Sequence, residues 1–313
     1  MNIFFARLEE LIKPTTQKHL LDSVFGGKVV SQLKCPSCGN IRNLLESFFT
    51  LTVNVKDRRG LLDSLQKMIE TSVINDFRCE NCKQKVDVEK RQLIAEPPNV
   101  LIVHLQRIIF NFDTFQNDKI NSYFDFPNIL DLKDFSYKKV MNQEGHSDDV
   151  MANDTTKHLL DIQDDEYIYK LVGVTIHRGT AEHGHYYSLI NTRRGKEELD
   201  EARPEWYQTE KDNWKVFDDE NVKAFTFSEM RTEAFGGSSS AGNSYMDSEM
   251  SAYYMQSGAG NSYGQNAYML VYEKMIKKPL KEVILPPKVQ EPVPLGDEKM
   301  NTSSDNVAMD VDE

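Results

Sequence analysis

The chain has 313 residues, 39% of them hydrophobic and 10% aromatic, which supplies a sizeable core for one large domain or two modest ones. Its formal net charge is −12, and two stretches carry the whole excess: 141–166, with eight acidic residues against one lysine, and 279–313, with eight against three. The balanced remainder offers no basic stripe for nucleic acid, no apolar run of about 18 residues for a membrane span and no basic-then-apolar leader, so a soluble protein of the cytoplasm or nucleus is expected.

Along the chain, Phe49, Leu51, Val53 and Val55 alternate with Thr50, Thr52 and Asn54, the period of two that marks a strand with one buried face. After Gly60, apolar residues recur at helical spacing (Leu61, Leu62, Leu65, Met68, Ile69), which predicts a short amphipathic helix over 61–70. The apolar run 100–105 follows Pro97 and Pro98 and reads as a buried strand, and further strands are expected at 167–176, 185–191, 214–217 and 268–273. Between these, 141–166 is polar and acidic and 236–264 is rich in Gly, Ser, Asn, Tyr and Met. Neither has the apolar surface to offset the entropy of ordering, so both are expected to be mobile insertions. Strand character returns at 268–273, which makes 236–264 an excursion within a domain spanning 1–274, followed by a disordered, acidic, Pro-rich tail over 275–313.

All four cysteines lie in two CxxC pairs, Cys35 with Cys38 and Cys79 with Cys82. A tetrahedral zinc ion needs four soft ligands, and each CxxC turn presents two thiolates from one knuckle, so the two pairs are expected to close a structural Zn2+ site. The 40 residues between the pairs leave room for a strand and a helix. A site closed by four thiolates does no chemistry and holds the ends of long hairpins together. A nucleic-acid-binding zinc ribbon is the competing reading, but Lys34, Arg42, Arg78, Lys83 and Lys85 around the knuckles are offset by Glu46, Asp76, Glu80 and Asp87.

Three histidines crowd one loop: His177, His183 and His185. His185 follows Gly184, where a missing side chain permits a tight turn and close approach of a substrate chain, and it begins a strand. If that strand pairs antiparallel with 214–217, its start lies beside the partner's end, and His185 meets Asp218. The carboxylate would then accept the imidazole N–H, fix the tautomer and stabilise the imidazolium, the orienting half of a nucleophilic site. Asp219 is the rival for the orienting role, His177 is expected to support the loop and His183 to face solvent.

Several motifs in one order carry a resemblance: FGGKVVSQLKCPSCGNIRNLLESFFTLTVNV, FRCENCKQKVDVEKRQLIAEPPNVLIVHLQRI, KINSYFDFP, HRGTAEHGHYYSLI, FDDENV and NAYMLVYEK. Together they resemble the ubiquitin-specific protease family of papain-like deubiquitinases, most of all its large fat facets-like branch. The resemblance implies an α+β, papain-like cysteine protease fold of thumb, palm and fingers, with the CxxC pairs at the tips of β-rich fingers and the His/Asp strands in the palm. By the same match His185 corresponds to the catalytic base and Asp218 to the third member of the triad. The implied partners are ubiquitin and ubiquitinated proteins, and the implied reaction is thiol-dependent hydrolysis of the bond after ubiquitin's terminal glycine.

The sequence departs from the family in one respect that bears on activity: the N-terminal cysteine box has no counterpart among these residues, and HLQRI is a smaller deviation. Moving any of Cys35, Cys38, Cys79 or Cys82 into the nucleophile's role would break the metal site. Most of the thumb is therefore expected to be missing, and this chain alone to be inactive. It reads either as the C-terminal part of a working deubiquitinase, completed by an N-terminal thumb segment, or as a ubiquitin-binding or scaffolding pseudoprotease. Retention of both His185 and Asp218 favours the first, because a binding module has no use for the pair.

Overall fold

The computed structural model describes residues 2–144, 156–192, 212–237 and 264–276. Its first part comprises α1 (Asn2–Ile12), α2 (Leu20–Phe25), β1 (Gly27–Lys34), β2 (Ile41–Phe48), β3 (Leu51–Asn54), α3 (Leu61–Ile69), β4 (Ser72–Arg78), β5 (Lys85–Glu96) and β6 (Val100–Gln106). There follow β7 (Ile108–Asn111), β8 (Gln116–Lys119), β9 (Ile129–Asp131), α4 (Tyr137–Gln143), β10 (Ile168–Gly179) and β11 (Gly184–Asn191). The last are β12 (Trp214–Asp218), β13 (Asn221–Phe225), α5 (Met230–Ala234) and β14 (Gln265–Lys274).

The strands form a four-stranded antiparallel sheet in the order β2-β1-β5-β4 and an eight-stranded sheet in the order β13-β12-β11-β10-β14-β6-β3, in which β9 also pairs with β10. The α+β class expected from the sequence is what is found, with strands dominating. One core spans both sheets: Val29 and Val30 of β1 and Leu93, Ile94 and Ala95 of β5 cluster with Leu101, Val103 and Leu105 of β6 and Leu171, Val174 and Ile176 of β10. Alternation along β6 sends Ile102 to the opposite face, where it packs with Phe5 of α1 and Leu21 of α2.

The period-two reading of 49–55 holds over 51–55, where Leu51, Val53 and Val55 are buried while Thr52 and Asn54 are exposed; a bend at 49–50 instead sends Phe49 into the cluster with Phe5 and Ile102. The predicted helix is α3; Leu61 and Leu65 enter the core, but Leu62 sits on its outer flank, 49% exposed. The expected loop at 141–166 is narrower than the sequence suggests. Met141 is buried in the last turn of α4, and Leu159 and Ile162 anchor two short 3-10 turns at 157–161 and 164–167 in the core. Scattered apolar residues inside an acidic stretch thus order its ends, whereas 145–155 lies outside the described residues, as do 238–263 of the second expected insertion and 277–313 of the expected tail. Among the described residues no helix is long and apolar enough to cross a membrane.

Candidate functional site

The eight-stranded sheet brings the histidine and the carboxylate together through register. β11 pairs antiparallel with β12, Ser188 opposite Phe217 and Asn191 opposite Trp214, so the start of β11 lies beside the end of β12. His185 Nε2 approaches Asp218 Oδ1 at 2.5 Å and Asp219 Oδ2 at 3.8 Å. Asp218 is therefore the carboxylate in hydrogen-bonding range. Asp219 is 77% exposed at the side chain and turns the chain with φ 49, a left-handed conformation that aspartate tolerates better than most residues. The imidazole is itself 41% exposed at the side chain, and with Nε2 engaged its Nδ1 has no partner among the described residues. A ring held at one nitrogen and open at the other can take a proton from a group brought to it.

Residues of β10, β11 and α5 surround that ring. Tyr187, two residues along the same face, stacks on His185 with ring centroids 6.4 Å apart and planes 21° apart. Arg178 lies over the Tyr187 ring at 5.0 Å, and the Tyr187 hydroxyl donates to the Glu233 carboxylate. Burial first, then the Glu233 contact, pushes the Tyr187 phenol up and keeps it protonated. His177 is buried and tilted against Tyr186 at 4.6 Å, with its pKa lowered by burial and then by the nearby Lys119 ammonium. His177 lies within β10 and not in the loop expected from the sequence, because the strand continues to Gly179, whereas His183 sits in the 180–183 turn and is exposed. Gly184 is required by this packing: a Cβ there would overlap His177 Nε2 and lie 2.7 Å from the Arg178 carbonyl.

The four cysteines converge at the far end of the four-stranded sheet, in the β1–β2 and β4–β5 turns, with all four sulfurs within 4.8 Å of one another. The two turns repeat one hydrogen-bond pattern: Gly39 N–H donates to the Cys35 carbonyl at 2.8 Å, and Lys83 N–H to the Cys79 carbonyl at 2.9 Å. Gly39 (φ 70) and Lys83 (φ 61) occupy the same left-handed position in each. Cys38 Sγ and Cys79 Sγ are 3.8 Å apart. A tetrahedral ion with sulfurs at about 2.3 Å would space them about 3.8 Å apart, so the cage fits a tetrathiolate metal. The Asn81 side-chain amide, then the Asn40 backbone N–H, holds the Cys38 thiol down to about 6. Backbone N–H groups of Cys82 and Asn81 lower Cys79, while burial pushes Cys35 up to about 11. Hydrogen bonding thus shifts the Cys38 and Cys79 thiols toward the thiolate form, while burial shifts Cys35 away from it.

Sequence reasoning brought His185, Gly184, Asp218 and the four cysteines to their correct neighbourhoods. It missed Tyr187, Arg178 and Glu233 around the ring, and Lys119 and Arg107 beneath the loop. The stretches HRGTAEHGHYYSLI and KINSYFDFP contain three of them, but the contacts of Tyr187 with Glu233 and of Lys119 with β10 and Gly264 join residues far apart in sequence.

The chain matches the family profile described as ubiquitin carboxyl-terminal hydrolase over residues 1–272. It is 34% identical over 280 residues to human ubiquitin carboxyl-terminal hydrolase 9Y, covering 86% of this chain and 10% of that protein. To the Drosophila melanogaster ubiquitin carboxyl-terminal hydrolase puf it is 31% identical over 298 residues, covering 88% of this chain and 7% of the relative. The chain thus spans a tenth or less of the length of these curated relatives. In structure it is similar to a chain of the SAGA DUB module bound to monoubiquitin, with a TM-score of 0.55 at 20% identity over 83% of this chain and 42% of that one. The likeness extends the α+β description to the fold of that module's chain.

Proposed function

Because the chain belongs to the ubiquitin carboxyl-terminal hydrolase family, we propose that it forms the finger and palm part of a cysteine-type deubiquitinase, which cleaves the bond after the terminal glycine of ubiquitin. In this reading His185 is the general base and Asp218 its orienting partner. Nδ1 of His185 takes the proton of an incoming thiol, and the thiolate attacks the glycine carbonyl to form a tetrahedral intermediate. The imidazolium, stabilised by Asp218, then returns the proton to the leaving amine, and water activated at the same nitrogen releases the acyl group. The four-cysteine cage would hold structural zinc and keep the finger sheet in shape for ubiquitin. The 2.5 Å contact between His185 and Asp218, with Nδ1 left open at a partly exposed edge, carries the proposal.

A second reading, a ubiquitin-binding protein without catalysis, is favoured by one observation: every cysteine of the chain is in the cage, so no thiol of these 313 residues stands beside His185. The two readings separate on the native protein captured through its C-terminal residues. On the first, that protein hydrolyses a ubiquitin C-terminal amide and His185→Ala abolishes the activity, whereas the purified 313-residue chain is silent. Turnover by the purified chain that survives His185→Ala would overturn the assignment. Native protein that holds ubiquitin and never cleaves it would support the second reading.

A further inference from the structure

The motif KINSYFDFP has no part in the chemistry so far, yet its first residue reaches the end of β10, the strand paired with the one that carries His185. Lys119 closes β8, and its ammonium donates to the carbonyls of His177 at 3.1 Å and Gly179 at 3.2 Å, and to the carbonyl of Gly264. These oxygens lie where the β10–β14 ladder ends, because Arg178 pairs with Gln265, the first residue of β14. On its other side Arg178 pairs with His185. The carbonyls of His177 and Gly179 flank Arg178, so the ammonium grips β10 at the residue directly opposite the catalytic ring.

The local backbone needs such a grip. Gly179 (φ 137) and Gly264 (φ 80) both adopt conformations open to glycine, and a Cβ on Gly264 would overlap the Gly179 carbonyl. Beyond them the β10–β11 connection is a four-residue turn whose backbone closure is the Thr180 N–H donating to the His183 carbonyl at 2.8 Å. Glycines ease the close approach but add no side chains to fix it. No carboxylate is among the described partners of Lys119. Arg107, fully buried and close enough to repel it, donates to the carbonyls of Ala267, Ile120, Ser122 and Phe235. Two cations bonded to carbonyl oxygens tie the β7–β8 hairpin to β14 and to the end of β10. Burial, then repulsion from Arg107, lowers the Lys119 pKa to about 8, the electrostatic cost of holding an ammonium there.

We propose that Lys119 is a positioning residue: by fixing β10 opposite His185 it holds the imidazole in register with Asp218. The proposal rests on the reading of His185 as the base, but its test needs neither ubiquitin nor turnover and so fails independently of that reading. The experiment compares the 313-residue chain with Lys119→Met, which keeps the length and removes the donors, by amide hydrogen exchange and by the downfield imidazole N–H proton signal of His185. The Met variant is expected to exchange the amides of 179–185 about tenfold faster or more, and to lose or broaden the His185 signal. Lys119→Arg, which restores charge and donors, is expected to recover the signal at least in part. Lys274 serves as control: it is buried at the other end of the same strand pair and donates to the Pro97 carbonyl, so Lys274→Met is expected to lower stability and leave the His185 signal in place. If Lys119→Met does not fold, Lys119→Gln, shorter and uncharged but still a donor, is read in the same two ways, with faster exchange and a weakened signal expected. An unchanged His185 signal in folded Lys119→Met or Lys119→Gln, or equal loss in Lys274→Met, would overturn the proposal.

Discussion

At the scale of single residues, the two neighbouring aspartates offer the sharpest contrast. Asp218 bonds the His185 ring at 2.5 Å, while Asp219 stands 3.8 Å away on an exposed turn. In the active native protein, Asp218→Asn is expected to cut kcat about a hundredfold or more with little change in KM, because an amide neither fixes the tautomer in the same way nor stabilises the imidazolium. Asp219→Asn is expected to stay within a few fold, since asparagine also tolerates the left-handed turn. Steady-state kinetics on the two variants checks this, and equal losses would remove the distinction. The sequence made the histidine and the carboxylate visible because both sit at strand ends whose pairing can be inferred from alternation. It left Asp218 and Asp219 in competition, since one residue of register decides which side chain reaches the ring. Lys119 was invisible for a different reason: its carbonyl partners lie 58, 60 and 145 residues away.

At the scale of elements, periodicity identified β3 and α3, whose buried faces are written in alternating and helical apolar patterns, while apolar strand-like runs pointed to β6 and the β10–β12 group. The strands of the four-stranded sheet were harder to read. β4 is exposed along most of its length and β2 alternates between exposed and half-buried positions, so neither shows a strong apolar face. What organises that distal end is the cysteine cage, together with the small cluster of Cys35, Cys79 and Val88. Metal removal is therefore expected to act locally. A strong chelator should accelerate hydrogen exchange in β4, the distal half of β5 and the two knuckles, while β10 and β14 stay protected by the main core. Exchange mass spectrometry with and without chelator reads this directly; no difference in those segments would mean that the cage carries no structural ion.

At the scale of the whole molecule, two histidines of the large sheet are expected to make stability depend on pH. His104, edge-to-face with Tyr268 at 4.9 Å, and His177 both have pKa values lowered chiefly by burial. In the unfolded chain each titrates near the ordinary value of about 6.5, so as pH falls through that value the unfolded state binds more protons than the folded one. The contribution of neutral, buried imidazoles is complete above about pH 6.5 and is lost progressively below it. Denaturant midpoints should fall between pH 7.5 and 5.5, and His104→Phe, which keeps the aromatic contact and removes a titrating site, should reduce that fall. An identical pH dependence in the variant would exclude His104 as a contributor.

The most direct test of the central claim, that His185 serves a thiol outside the metal cage, is to react the native protein with ubiquitin bearing a C-terminal electrophile and map the adduct by mass spectrometry. The expected result is a single adduct on a cysteine other than Cys35, Cys38, Cys79 and Cys82, formed far more slowly in His185→Ala. An adduct on one of those four cysteines, or none in protein that demonstrably binds ubiquitin, would contradict it.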